Sequence, residues 1–207
     1  MTPDHPLLRA ILADPDDDTR RLVAADWFAD HDQHDRAEFV RLQVELARGV
    51  DDPARRAALE QRERELLSAH EAEWAAPLAA VLDVPPGLWT GWEFRRGFAE
   101  AFDLAAEAAL ARGRELARLT PVRELRLSPC SAEELAALAK HHWVRNLAHL
   151  HVPDTPITDA AARAVLYTPF LRDLRVIVYS RDAMTPGVRE AFRERFAPPD
   201  ESDLLPF

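Results

Sequence analysis

Between residues 30 and 35, Asp30, His31, Asp32, His34 and Asp35 bring three carboxylates and two imidazoles into one short stretch. Such oxygen and nitrogen donors can hold a divalent metal if the backbone makes them converge. The stretch DHDQHD separates two helical patterns, however, and reads better as a solvated turn with Asp35 capping the helix that follows. Asp26, Glu38 and Arg41 suggest a second chemistry, a carboxylate pair for general acid and base work. No pocket or nucleophile accompanies them in the sequence, so they read as ion pairs or caps joining two helices.

Two further constellations lie downstream. Trp89, Trp92, Phe94 and Phe98 are interleaved with Arg95 and Arg96, a combination that can stack single-stranded nucleobases. Their alternative use is to cover the open end of the region that follows and join it to the helices before it. His149 and His151 lie two residues apart, a spacing that puts both imidazoles on one side of a strand, where Glu124 could join them around a metal.

These groups must be positioned by two regions of different texture. Up to about residue 83 the pattern is helical. Leu7, Leu8, Ile11 and Leu12 form one amphipathic stripe, and Leu22, Val23, Trp27 and Phe28 a second. Phe39, Leu42 and Leu46 mark a third helix, and a fourth starts near Pro53. After Pro85-Pro86-Gly87, strand-like and helical runs alternate. AEAFDL, VRELRL, LAHLHV and LRDLRV begin at Ala99, Val122, Leu147 and Leu171 and follow the pattern L-x-x-L-x-L at steps of 23, 25 and 24 residues.

That period resembles the leucine-rich repeat of the ribonuclease-inhibitor-like kind, with a strand and a helix in each unit. Cys130 falls on the small-residue slot of the frame, and Thr155 occupies the same slot one unit later. Ser131 with Glu134 forms a capping-box arrangement, and Thr185-Pro186 starts a last helix that can close the open end. Within the frame, positions four and six point inward and positions three and five outward. The outward columns read Ala101, Glu124, His149, Asp173 and Asp103, Arg126, His151, Arg175, which sets His149 between two carboxylates and His151 between two arginines.

The N-terminal half resembles a bacterial domain family called the repeat-companion domain. The likeness covers about residues 5–104 and is carried by ADW at 25–27, AEFVRLQ at 37–43 and WEFRRGF at 92–98. The turn DHDQHD departs from the short Gly-containing turn usual in that family. The resemblance implies an architecture, a helical unit placed beside repeats, and no assigned activity.

Composition narrows the classes. The chain has 207 residues, with 36 acidic and 26 basic side chains and a net charge of −10. That balance opposes general affinity for nucleic acid or anionic lipid. One cysteine allows no intrachain disulfide. The N-terminus does not read as a signal peptide, and no apolar run approaches the roughly 18 residues of a membrane span. A cytoplasmic location follows as the expectation.

The sequence thus predicts an α/β protein. A helical unit over residues 1–86 is fused to a short, capped, leucine-rich-repeat-like solenoid over 87–197 with a parallel sheet of about four strands, and a disordered tail occupies 198–207. The function expected is non-catalytic, the binding of a protein partner without a cofactor. Its site is the concave strand face (Asp103, Glu124, Arg126, His149, His151, Asp173 and Arg175) or the aromatic junction (Trp89, Trp92, Phe94 and Phe98). The alternatives are a metal-dependent or hydrolytic enzyme using the Asp/His turn or His149 and His151, and single-strand binding through Trp89, Trp92, Arg95 and Arg96.

Overall fold

A computed structural model describes residues 2–83 and 91–196. The protein is mixed α/β with a mostly parallel sheet. It divides into two compact units, residues 1–100 with 118–121 and residues 101–117 with 122–207. The boundary expected between residues 86 and 87, Trp89 and the tail from 198 onward lie outside the described residues.

The first unit is built on helices α1 (Pro6–Ala13), α2 (Asp18–Asp30), α3 (His34–Arg48) and α4 (Pro53–Leu82). Their starts follow from side chains that satisfy otherwise unpaired N–H groups. Asp17 accepts from the N–H of Thr19 at 2.8 Å, and Asp52 accepts from Ala54 at 2.9 Å with Pro53 opening the helix. The third helix departs from expectation. Gln33 holds its cap position without a side-chain bond, and Asp35 lies inside the first turn. The Asp35 carboxylate instead reaches His70 on α4, at 2.9 Å. Leu8, Ile11, Ala24, Ala25, Phe28, Ala37, Val40 and Val44 form the core with Phe98.

Phe98 opens β2 (Phe98–Leu104), the expected AEAFDL strand, which forms a hairpin with β1 (Trp92–Arg95), a strand beyond the four expected. The hairpin's two-residue turn, Arg96-Gly97, has φ of 50° and 90°, and paired positive φ values match the turn twist to the strands. Gly97 is required twice over. Besides its φ, a Cβ there would lie 2.5 Å from Cγ2 of Val40 on α3. Gln43 clamps the hairpin, its Oε1 accepting from the Gly97 N–H at 2.7 Å and its Nε2 donating to the Phe94 carbonyl at 2.9 Å. A fragment ending at residue 86 lacks this hairpin and exposes the apolar face of α3. It is expected to lose cooperative unfolding in a urea titration followed by circular dichroism, and a soluble, cooperatively unfolding fragment would contradict this packing.

The strands run in the order β1-β2-β3-β4-β5, with β3 (Glu124–Leu127), β4 (His149–Thr158) and β5 (Val176–Ala183) laid parallel after β2. Helices α5 (Ala106–Leu119), α6 (Ala132–Leu138) and α7 (Asp159–Tyr167) form the return segments, and α8 (Pro186–Arg195) follows the last strand. Leu125, Leu127, Leu150 and Val152 are fully buried, as inward strand positions should be. The Ser131–Glu134 capping box forms, with bonds of 3.2 and 2.8 Å. Thr155 is buried, and its hydroxyl donates to the Cys130 carbonyl at 2.8 Å, joining the same slot of successive units. Burial pushes the Cys130 thiol above its ordinary pKa, away from thiolate reactivity.

The last unit corrects the frame. Strand pairing joins Ala101 to Glu124, Glu124 to His149 and His149 to Val176, steps of 23, 25 and 27 residues. Leu174 therefore takes the first leucine position in place of Leu171, and Ile177 takes the fourth in place of Leu174. Val176, expected inside, is half-buried. Both Leu171 and Leu174 are buried, so burial cannot tell the two frames apart. Leu150→Ala should cost about 2–5 kcal/mol through cavity formation. Gly113→Ala should cost about 1–3 kcal/mol by overpacking, because its Cβ would meet the Trp143 indole. Urea midpoints of the intact chain measure both.

Candidate functional site

The strand register places two polar rows on the side of β2–β4 opposite the buried leucines. One row is Ala101, Glu124, His149 and Val176; the other is Asp103, Arg126, His151 and Val178. Glu124 is the centre. Its side chain is 9% exposed, and its two oxygens face His149 Nδ1 at 3.6 Å and His151 Nε2 at 3.3 Å. Arg126 faces Asp103 at 3.8 Å across the neighbouring strand pair. Asp103, Arg126, His149 and His151 are all half-buried, so each presents part of its surface.

Asp173 and Arg175 do not join these rows. The frame shift puts both before β5, exposed, with the Arg175 N–H donating to the Ala148 carbonyl at 2.8 Å. Val176 and Val178 occupy the positions assigned to them. His149 thus has one carboxylate neighbour in its row instead of two, and His151 has one arginine. The result is a carboxylate shared by two imidazoles, beside an Arg–Asp pair. It can accept and donate hydrogen bonds at several points along a short line.

The aromatic segment packs inward. Phe94 and Phe98 are buried, and the half-buried Trp92 donates from Nε1 to Glu71 Oε1 at 3.2 Å. Arg95 is paired with Glu93 on its own strand at 2.9 Å, and Arg96 with Glu100 at 3.1 Å. Rings used as core and arginines held by carboxylates differ from the open platform that base stacking uses. In the Asp30–Asp35 turn, His31 stacks on Trp27 and its Nδ1 lies 2.7 Å from the Trp27 carbonyl. Among the described residues no group of three His, Cys, Asp or Glu side chains is placed to hold a metal ion.

Asp26 and Glu38 belong to different ion pairs. Arg41 on α3 donates to Asp26 on α2 at 2.7 Å, in the open. Glu38 accepts two bonds from Arg62 on α4, at 2.9 and 2.7 Å, and these hold its carboxyl below the usual carboxylate range.

Three buried arginines, Arg21, Arg36 and Arg123, escaped notice in the sequence; Arg123 donates to the Asn146 carbonyl, and the other two lie on helices of the first unit. Arg21 and Arg36 each open an i, i+3, i+4, i+7 stripe, Arg21-Ala24-Ala25-Phe28 and Arg36-Phe39-Val40-Gln43, and that placement on an apolar face was the available signal. Arg21 is 0% exposed and fully answered: Glu100 lies at 2.5 Å, and the Pro15 and Arg96 carbonyls accept at 2.6 and 3.1 Å. Arg36 is 9% exposed and answered only in part. Its Nη2 donates to the Gly97 carbonyl at 2.6 Å, while Nη1 is buried without a hydrogen-bond partner among the described residues. Burial pushes the guanidinium down to about 9, which leaves it charged at neutral pH.

No protein-family model matches the chain, and no curated protein or solved structure gives a significant match. Among the described residues no helix is long and apolar enough to cross a membrane.

Removing Arg21 leaves Glu100 buried with Arg96 as its remaining cation. Arg21→Met should therefore cost about 3–5 kcal/mol, the scale of a broken buried pair. Arg41→Ala should cost less than about 1 kcal/mol, as exposed pairs do. Denaturant midpoints of the two variants give the comparison, and a large loss for Arg41→Ala would point to more than an exposed ion pair.

Proposed function

We propose that the protein is a non-catalytic interaction module, a repeat-companion-type helical unit followed by short leucine-rich-repeat-like units, whose outward strand face binds a protein partner. The observation that carries this reading is the shared Glu124 carboxylate between His149 and His151, beside the Arg126–Asp103 pair, on strands whose opposite side chains form the core. Parallel strands that each lead into a return helix commonly leave one sheet face available to partners. Alternating acidic, imidazole and guanidinium groups favour a partner with complementary charges, and such complementarity acts mainly on specificity and encounter rate. The strand face is preferred to the aromatic junction because Phe94 and Phe98 are committed to packing. Asp173 and Arg175 enter as exposed neighbours of this face. The site requires no cofactor, and cytoplasmic action is part of the proposal.

The test combines Arg126→Glu with His151→Ala in the intact chain and compares partner capture from the native lysate with that by the wild type. The double variant should still unfold cooperatively in urea, at a lower midpoint because Glu124 loses a partner and Asp103 gains a like charge, and under native conditions it should bind the captured protein at least about tenfold more weakly, since it loses two interfacial groups. Unchanged binding, or no protein enriched by the wild type, would overturn the reading.

A further inference from the structure

Beside Arg36 the first unit contains a cavity of about 220 Å³. The rings of Phe28, Trp74, Phe94 and Phe98 line it, with aliphatic side chains that include Leu8 and Leu78. Arg36 itself reaches the cavity, and its Nη1 is a buried donor with no acceptor among the described residues. The same unit shows what a completed buried arginine looks like, because Arg21 has both a carboxylate and backbone carbonyls around it. Arg36 has one carbonyl and no carboxylate bonded to it. Its charge is met by the exposed Glu73 carboxylate through space and by ring faces, with Trp74 at 4.5 Å and Phe94 at 5.3 Å from the guanidinium carbon. Ring faces cover a guanidinium from above and below and leave its in-plane N–H groups for an acceptor.

We propose that this cavity is a binding site for a small carboxylic acid with an apolar, preferably aromatic, body, its carboxylate accepting from Arg36 and its body lying among the rings. The charge matches one to one. A dianion such as inorganic phosphate would carry an excess charge into an apolar lining, which is unfavourable. The polar groups around the cavity define the rest of the fit. Thr120 donates its hydroxyl proton to the Ala99 carbonyl at 2.5 Å and has none left for a carboxylate, whereas the Gln33 carboxamide offers N–H donors. Glu73 also lines the cavity and acts on Arg36 through space, but its side chain is 80% exposed and lies 3.8 Å from His70, so solvent screens its repulsion of an incoming carboxylate. An anion on Arg36 would also relieve the cost of its unpaired burial, so binding should stabilise the fold.

The experiment titrates the full-length protein with benzoate, with benzyl alcohol as the uncharged counterpart and inorganic phosphate as the anion without a body. Calorimetry, thermal unfolding and amide NMR provide the readouts. The expected result is one saturable benzoate site that raises the melting temperature. Benzyl alcohol should bind at least tenfold more weakly and phosphate should show no saturable binding. Shifts should cluster at the Trp74 indole and at the amides of Gln33 and Thr120. Arg36→Lys, which keeps the charge but loses the fork, should weaken benzoate binding at least tenfold. Absence of saturable benzoate binding, shifts confined to other residues, tighter binding of phosphate, or unchanged affinity in Arg36→Lys would each overturn the assignment. If that variant does not fold, the shift map of the wild type decides.

Discussion

The hydrogen bonds from Gln43 to the hairpin are the constraint on which the first unit depends. One carboxamide accepts from the Gly97 N–H and donates to the Phe94 carbonyl, so a single side chain of α3 fixes both strands at their turn. Each bond contributes about 1 kcal/mol net, and leaving such buried backbone groups unpaired would cost more. The close approach that makes these bonds possible needs a residue without Cβ at position 97, directly over Val40. Phe94 and Phe98 then enter the interior from the two strands.

Charge burial follows from the same docking. Bringing the turn carbonyls onto α2 and α3 supplies acceptors for two arginines that helical periodicity alone places among apolar side chains. Arg21 meets the Arg96 carbonyl and, through Glu100 on β2, a carboxylate. Arg36 meets only the Gly97 carbonyl and a set of ring faces. Their environments differ because the buried Glu100 is bonded to Arg21, whereas the acid nearest in effect to Arg36, Glu73, is exposed and makes no hydrogen bond to it. One position is complete within the chain, and the other keeps a donor for something outside it.

On the strand face a similar economy of groups operates. Glu124 is the only acid of its row, and strand spacing lets each of its oxygens face a different imidazole of β4. The row ends in valines because β5 is entered three residues later than the repeat pattern suggests. That shift removes Asp173 and Arg175 from the ladders and leaves the charged part of the face on β2, β3 and β4.

Local rules were enough for much of this. The capping box at Ser131, the Pro-initiated helices, the inward leucines of β3 and β4 and the steps of 23 and 25 residues all follow from side-chain chemistry and periodicity, which act over a few residues and are legible in order. Three features were decided only by tertiary structure. The choice between Leu171 and Leu174 as the start of the last unit is invisible locally, since both satisfy the pattern and both are buried; hydrogen bonding to Ala148 settles it. The helix start at Gln33 rather than Asp35 depends on Asp35 having a partner, His70, 35 residues away. The contrast between Arg21 and Arg36 depends on which groups of a distant hairpin arrive beside them. A helical stripe reveals that a residue faces inward, but long-range packing determines whether its charge finds a counterpart there.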